Sequence, residues 1–234
     1  MKNKIFALSI ILTLSLILGA LLNIKVTTKQ GINYHVKELE LPLYLKLLNF
    51  YDRHFNYKWL AEHITEKLET KEEKVFRLFQ WTHETIRPQP KSLPIMDDHV
   101  WNVYLRGYGV SDNFNDLFTT LCNYIGVDAF FRQLKGNDFE PNIAMSFVKI
   151  KKGWVLFDPH QGIYFLNKMG EWATIEEINN QNWKLEKLSP IEIPKSFFNP
   201  YLDKLPSIDN IGLNRANTQS PFNRLLLAIQ QLGF

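Results

Sequence analysis

Residues 5–24 form an uncharged, largely apolar run behind Lys2 and Lys4. At about 20 residues it has the length at which a single helix crosses the hydrocarbon core of a bilayer. Beyond it the pattern turns from continuous to periodic. Residues 25–32 are polar, carry Gly31 and read as a juxtamembrane linker. Over residues 41–68, Leu45, Leu48, Tyr51 and Phe55, then Trp59, Leu60, Ile64 and Leu68, predict one or two helices. Thr70 and Glu73 have the spacing of a capping box. The helix they start places Val75, Phe76, Phe79, Thr82 and Ile86 on one face and stops before Pro88. The most regular helix begins at Asp112, where Phe114, Leu117, Phe118, Leu121, Cys122 and Ile125 recur at steps of three and four until Gly126 caps it.

Strands follow in residues 127–166. Ile143, Met145 and Phe147 alternate with Ala144, Ser146 and Val148, the period of two of a strand. Lys151, Lys152 and Gly153 make a hairpin turn before a strand over 154–157, and another strand covers 163–166. Thr174 with Glu177 is a further capping box ahead of Ile178. Helices first and an antiparallel sheet afterwards is an α+β order, with the sheet laid on the central helix. Prolines at 190, 194, 200 and 206 then mark an extended strap. Ser220 and Pro221 open a last amphipathic helix with Phe222, Leu225, Leu226 and Ile229 on one face. It docks on the domain or a partner copy, or lies on a membrane, although Arg224 is the one cation on its polar face. The expected organisation is an anchor over 1–25, a linker over 26–40, a domain over 41–183, a strap over 184–219 and the C-terminal helix over 220–234.

Composition narrows the class. The 234 residues allow one domain with a substantial core plus appendages. A charged fraction of 22% and a net charge of +3 describe neither an acidic tail nor a nucleic-acid-binding face. With one cysteine the chain forms no internal disulfide. For residues 5–24 three readings compete: an uncleaved anchor, a cleaved secretory signal and a buried core helix. Length favours the anchor, because a signal has a shorter apolar region and a small-x-small site, whereas Gly19 and Ala20 are followed by more apolar residues. Lys25 and Lys29 balance Lys2 and Lys4 under the positive-inside rule. The short N-terminal tail favours keeping that end in the cytoplasm and exporting the domain.

The chemistry-bearing stretch is residues 107–132, GYGVSDNFNDLFTTLCNYIGVDAFFR, followed by residues 142–159, NIAMSFVKIKKGWVLFDP. Gly107 and Gly109 flank Tyr108 and allow a tight turn into the central helix. A residue at the mouth of that helix meets unpaired N–H groups and the positive end of the backbone dipole, which would ionise a thiol readily. This frame resembles the transglutaminase-like branch of the papain-type cysteine hydrolases. The resemblance covers roughly residues 59–178 and rests on a GIPAR-like segment at 126–130 and a GKWxxxDP-like segment at 153–159. The helix over EEKVFRLFQWTHETIRPQP looks like the one that packs beneath the family's site.

In that family a Cys just after the glycine turn is the nucleophile, a His begins a following strand and an Asp ends the next. Matching back from Gly126 puts Ser111 at the Cys position. Counting back from Trp154 puts Ile143, or with a one-residue slip Asn142, at the His position, and Asp158 matches the third member. Ser111 is either a nucleophile or a helix N-cap, and a serine hydroxyl without a base is inert. His160, two residues past Asp158, makes a rearranged set of Ser111, His160 and Asp158 conceivable. Asp158, without an imidazole to orient, would satisfy backbone N–H groups at the strand end. Cys122 lies on the apolar stripe about three turns into the helix, where a cysteine packs as a small hydrophobe. Asp97, Asp98 and His99 read as a solvated loop, since consecutive side chains diverge and seldom close a metal shell.

The expectation is therefore an α+β, papain/transglutaminase-like core behind a transmembrane helix, with no cofactor and no metal. The resemblance implies a catalytically degenerate domain that uses the cleft to bind a peptide, glycan or protein partner, in a setting of cell-envelope or polysaccharide assembly. The competing expectation is a working amide or ester hydrolase or acyltransferase with Ser111 as nucleophile.

Overall fold

The computed structural model describes residues 2–30, 37–96, 99–136, 141–190, 193–203, 205, 208, 226 and 229. Helix α1 (Lys2–Leu22) includes a span from Lys4 to Leu22 that is long and apolar enough to cross a membrane and is not buried against the rest of the chain. The stretch expected as a linker is instead an antiparallel hairpin of β1 (Lys25–Gln30) and β2 (Lys37–Pro42), with Lys25 opposite Pro42 and Gln30 opposite Lys37. Local sequence explains the correction: Val26, Thr27 and Thr28 are β-branched, and Glu38, Leu39, Glu40 and Leu41 alternate.

Helix α2 (Leu43–Thr65) is a single helix, and its N-terminal N–H, from Leu43, donates to Ile24 O at 2.9 Å. Helix α3 (Lys71–Thr85) opens on the expected capping box: Thr70 N–H donates to Glu73 Oε2 at 3.0 Å and Glu73 N–H to Thr70 Oγ1 at 3.2 Å. Past His99, expected from the sequence in a solvated loop, comes helix α4 (Val100–Arg106), with Val100 and Val103 buried. Seven residues are two turns, too few for a periodic signal to show. Two-residue strands β3 (Arg87–Pro88) and β4 (Tyr108–Gly109) pair in parallel and tie the end of α3 to the approach of the central helix, α5 (Ser111–Tyr124). At the far end of α5, Gly126 takes φ 73°, the left-handed conformation that a glycine cap supplies.

Five strands make one antiparallel sheet in sequence order: β5 (Ala129–Leu134), β6 (Ile143–Ile150), β7 (Gly153–Asp158), β8 (Ile163–Leu166) and β9 (Lys184–Lys187). Both of its faces are covered. Ala129, Val148, Val155 and Phe157 join Tyr57, Phe79, Leu117, Phe118 and Cys122 in a core between sheet and helices. Met145, Phe147, Leu156, Ile163 and Phe165 form a second core on the opposite face. Helix α6 (Ile175–Asn179), behind the capping box of Thr174 and Glu177, adds Ile178 to that second core.

The segment expected as an extended strap begins with β9 and continues through a 3-10 turn (Lys195–Phe197) into α7 (Asn199–Leu202). Phe198, Tyr201 and Leu202 are buried in the second core, and Tyr201 Oη donates to Pro141 O at 2.8 Å. Their apolar side chains are clustered without being periodic, so the pattern along the chain hid a segment that the open sheet face needs as a lid. Of the expected C-terminal helix, Ser220, Pro221, Phe222, Arg224 and Leu225 lie outside the described residues, while Leu226 and Ile229 are exposed.

Phe157 joins sheet to helices, its ring 5.0 Å from that of Phe79, 5.6 Å from Phe118 and 5.2 Å from Trp172. Phe157→Ala should cost about 3–5 kcal/mol, the range for a large buried aromatic truncated to a cavity. Urea unfolding followed by far-UV circular dichroism would measure it, and a loss under about 1 kcal/mol would mean the two layers do not depend on this contact.

Candidate functional site

The mouth of α5 is assembled from the turn before it. Gly107, at φ 72°, ends α4 in the left-handed region. Gly109 serves a different need, because a Cβ there would lie 2.7 Å from Asn113 Cβ and Oδ1. The freed space lets Asn113 fold back so that its Oδ1 accepts the Val110 N–H at 3.0 Å, with Arg106 Nη2 donating to the same oxygen at 3.4 Å. The N-cap position is Val110, and Ser111 is the first helical residue. The capping role expected of Ser111 thus passes to Asn113, three residues after the N-cap Val110. Ser111 is half-buried and stands where the open N–H groups and the positive end of the helix dipole converge.

One turn further in, Asn115 fixes α5 to the sheet. It is fully buried; its Nδ2 donates to Ser111 O at 2.9 Å and to Ala144 O at 3.3 Å, and its Oδ1 accepts the Ser146 hydroxyl at 2.6 Å. Asp112, also buried, accepts from Gln133 Nε2 on β5 at 3.2 and 2.9 Å. At the other end Asn123 Nδ2 donates to Ala129 O at 2.8 Å. Periodicity shows the apolar stripe of α5 but gives no hint that its polar residues are clamps onto β5 and β6.

The sheet register places the remaining candidates. Ser146 faces α5, so Ala144 and Val148 share that face. Ile143 packs on the second core with Met145 and Phe147 nearby, on the opposite face. Asp158 pairs with Ile163, a residue of that same second core, and lies at the end of β7. Asn142 precedes β6 and is exposed.

Asp158 is buried, and its Oδ1 accepts the N–H of His160 at 3.0 Å and of Gln161 at 3.1 Å. Burial pushes its carboxyl up from the ordinary 3.8 to about 7, against the opposing pull of those two N–H groups. The His160 ring stands edge-on to Phe114 with centroids 4.9 Å apart, and its Nδ1 lies 3.2 Å from Gln161 Nε2. Burial first, and His83 second, hold the His160 imidazole below its usual range. Among the described residues no hydrogen bond joins Ser111 Oγ to an imidazole, and none joins the Asp158 carboxylate to the His160 ring.

A serine does meet an imidazole close by. His83, in the last turn of α3, has Nδ1 3.1 Å from Pro159 O and Nε2 3.1 Å from Ser189 Oγ, and its ring fills the space that a Cβ on Gly162 would need. The carbonyl can only accept, so Nδ1 carries the proton and Nε2 accepts from the Ser189 hydroxyl. Sequence reasoning singled out neither residue, and with 106 positions between them no motif could have.

Cys122 is fully buried in the helix-side core, and burial pushes its thiol well above the ordinary value. His99 caps α4, its Nδ1 accepting from Trp101 N–H at 3.3 Å and lying 3.1 Å from Tyr57 Oη. Asp97 and Asp98 lie outside the described residues. Among the described residues no three His, Cys, Asp or Glu side chains group as a metal site.

Because Asp158 keeps its proton more tightly folded than unfolded, it favours the folded state fully below about pH 4, and that contribution is lost as pH rises toward about 7. The loss amounts to about 4 kcal/mol. Asp158→Asn keeps an oxygen for both N–H groups and does not titrate. The variant should therefore match the wild type near pH 4 and exceed it in urea midpoint at pH 8. Equal midpoints at pH 8 would show a carboxylate that folding does not penalise. Separately, Asn115→Ala strands the Ser146 hydroxyl and the Ala144 carbonyl and should cost about 2–4 kcal/mol in the same measurement.

No curated protein matches the chain. Among solved structures, a proposed cysteine protease from Cytophaga hutchinsonii is 18% identical, with a TM-score of 0.41 over 46% of this chain and 38% of that one. A proposed protease from Parabacteroides distasonis is 11% identical, with a TM-score of 0.37 over 57% of this chain and 35% of that one. A structure described as a TGase is 16% identical, with a TM-score of 0.37 over 57% and 43%. The chain thus spans less than half the length of each. The transglutaminase-like superfamily core model matches residues 58–159, which run from α2 through the glycine turn and α5 to the end of β7. That segment, a little under half of the chain, is thus similar to a transglutaminase-like core.

Proposed function

We propose that this transglutaminase-like domain is catalytically degenerate and acts as a membrane-anchored binding or scaffolding module at the cell envelope, with the former cleft taking a peptide, glycan or protein partner. The observation that carries the reading is the state of Asp158. An acid that orients a catalytic imidazole must bond it; here Oδ1 takes two backbone N–H groups at the end of β7, and among the described residues neither carboxylate oxygen bonds an imidazole ring. At the mouth of α5, among the described residues no imidazole is hydrogen-bonded to Ser111 to take its proton, and an unassisted hydroxyl is a poor nucleophile. On this reading residues 5–24 anchor the chain, with the domain on the extracytoplasmic side.

The other reading, an amide or ester hydrolase or acyltransferase using Ser111, draws on one observation. His160 packs on Phe114, one turn from Ser111, and burial keeps its ring neutral, the state a general base needs.

A fluorophosphonate probe separates the two. The full chain should remain unlabelled under conditions that label a serine hydrolase. Labelling abolished by Ser111→Ala would overturn the degenerate reading, whereas labelling lost only in Ser189→Ala would move the chemistry to the His83 pair. As a check on the alignment, Ser111→Cys combined with Ile143→His or Asn142→His should confer thiol-dependent hydrolysis of a model ester in whichever pairing restores the dyad.

A further inference from the structure

Helix α2 is apolar on two sides, and the domain covers one of them. Tyr57, Leu60, Ala61 and Thr65 face inward. Opposite them Tyr44, Leu48, Tyr51, Phe55 and Trp59 are exposed by 37%, 59%, 47%, 61% and 58%. Steps of four, three, four and four keep all five within an arc of about 80° and along about 22 Å of helix. Single exposed apolar residues need no explanation, but a continuous stripe of five, three of them Tyr or Trp, does.

Continuity with α1 indicates what covers the stripe. The Leu43 N–H donates to Ile24 O at 2.9 Å, so the first turn of α2 begins two residues from the end of the apolar helix. Lys46 Nζ donates to Thr27 O at 2.9 Å and holds α2 against the hairpin at the same place. Tyr and Trp settle at the headgroup level of a bilayer, where the ring is apolar and the polar tip is wet. Asp52 and Lys58, both exposed, border the stripe without entering it. We propose that the outer stripe of α2 is a second membrane contact, lying in the headgroup layer of the bilayer that α1 crosses. The proposal rests on the anchor reading above and adds that the domain is laid against the lipid surface along α2.

Cysteine labelling tests it on the full chain, because the native Cys122 is free and fully buried and leaves an added cysteine as the accessible thiol. Tyr51→Cys, Phe55→Cys and Trp59→Cys would carry a nitrobenzoxadiazole label. Leu105→Cys and Met169→Cys, at positions exposed by 66% and 76%, serve as domain controls, and Leu14→Cys reports on α1. Each protein is reconstituted into phosphatidylcholine–phosphatidylglycerol vesicles with and without a lipid bearing a nitroxide near its headgroup. The three α2 labels should lose about half or more of their emission to the nitroxide, with the two controls unchanged. Unquenched α2 labels beside a quenched Leu14 label would overturn the second contact and leave the anchor standing. In that case, disulfide crosslinking of Phe55→Cys between copies would identify a second chain as the occupant. If the Leu14 label is also unquenched, the anchor fails and this inference fails with it. Equal quenching at positions 105 and 169 overturns the proposal too, because the stripe would then have no preference for lipid over the rest of the domain.

Discussion

The hydrogen bonding of Asn115 is the constraint on which the site depends. A fully buried amide in the helix-side core is tolerated only if its donors and acceptor are used, and here they bind a carbonyl of its own helix, a carbonyl of β6 and the Ser146 hydroxyl. Each bond demands a particular register between α5 and β6. Slipping β6 by one residue would send Ser146 to the opposite face and strand the amide. The position of Ser111 relative to the sheet follows from that clamp, and so does the path of the chain into β6.

The same sheet is apolar on both faces, which explains the continuous burial of residues 144–148. A five-stranded antiparallel sheet with helices on one side alone would leave Met145, Phe147, Leu156 and Phe165 in water. The chain covers them with α6 and the segment around α7. The face carrying Ile143 and Asp158 is therefore occupied by hydrocarbon over most of its area.

Much of the fold was legible because it is written at short range. The capping boxes of Thr70 with Glu73 and Thr174 with Glu177 form as their spacing implied, and Gly126 closes α5 as a glycine after a periodic helix should. Elements without a period were not legible: α4 is too short, β9 and α7 lack alternation, and the β1–β2 hairpin is polar enough to pass for a linker. The site was legible only in part. The family resemblance brought Ser111 and Asp158 to attention, but the partners of Asp158 are the N–H groups of His160 and Gln161, and backbone groups leave no trace in side-chain pattern. Asn113 taking the cap from Ser111, and Ser189 meeting His83 across the fold, are tertiary facts of the same kind.

The junction between α1 and α2 carries a consequence of its own. Asn23 and Ile24 alone separate the apolar helix from β1, and the Leu43 to Ile24 hydrogen bond returns the chain to that point before the domain begins. Such a mount has almost no slack, unlike a flexible leash, whose reach grows with the square root of its length. Under the anchoring proposed above, a domain so mounted searches a thin sheet of space. Its encounters are two-dimensional, with molecules that are themselves confined to that surface or pushed up against it.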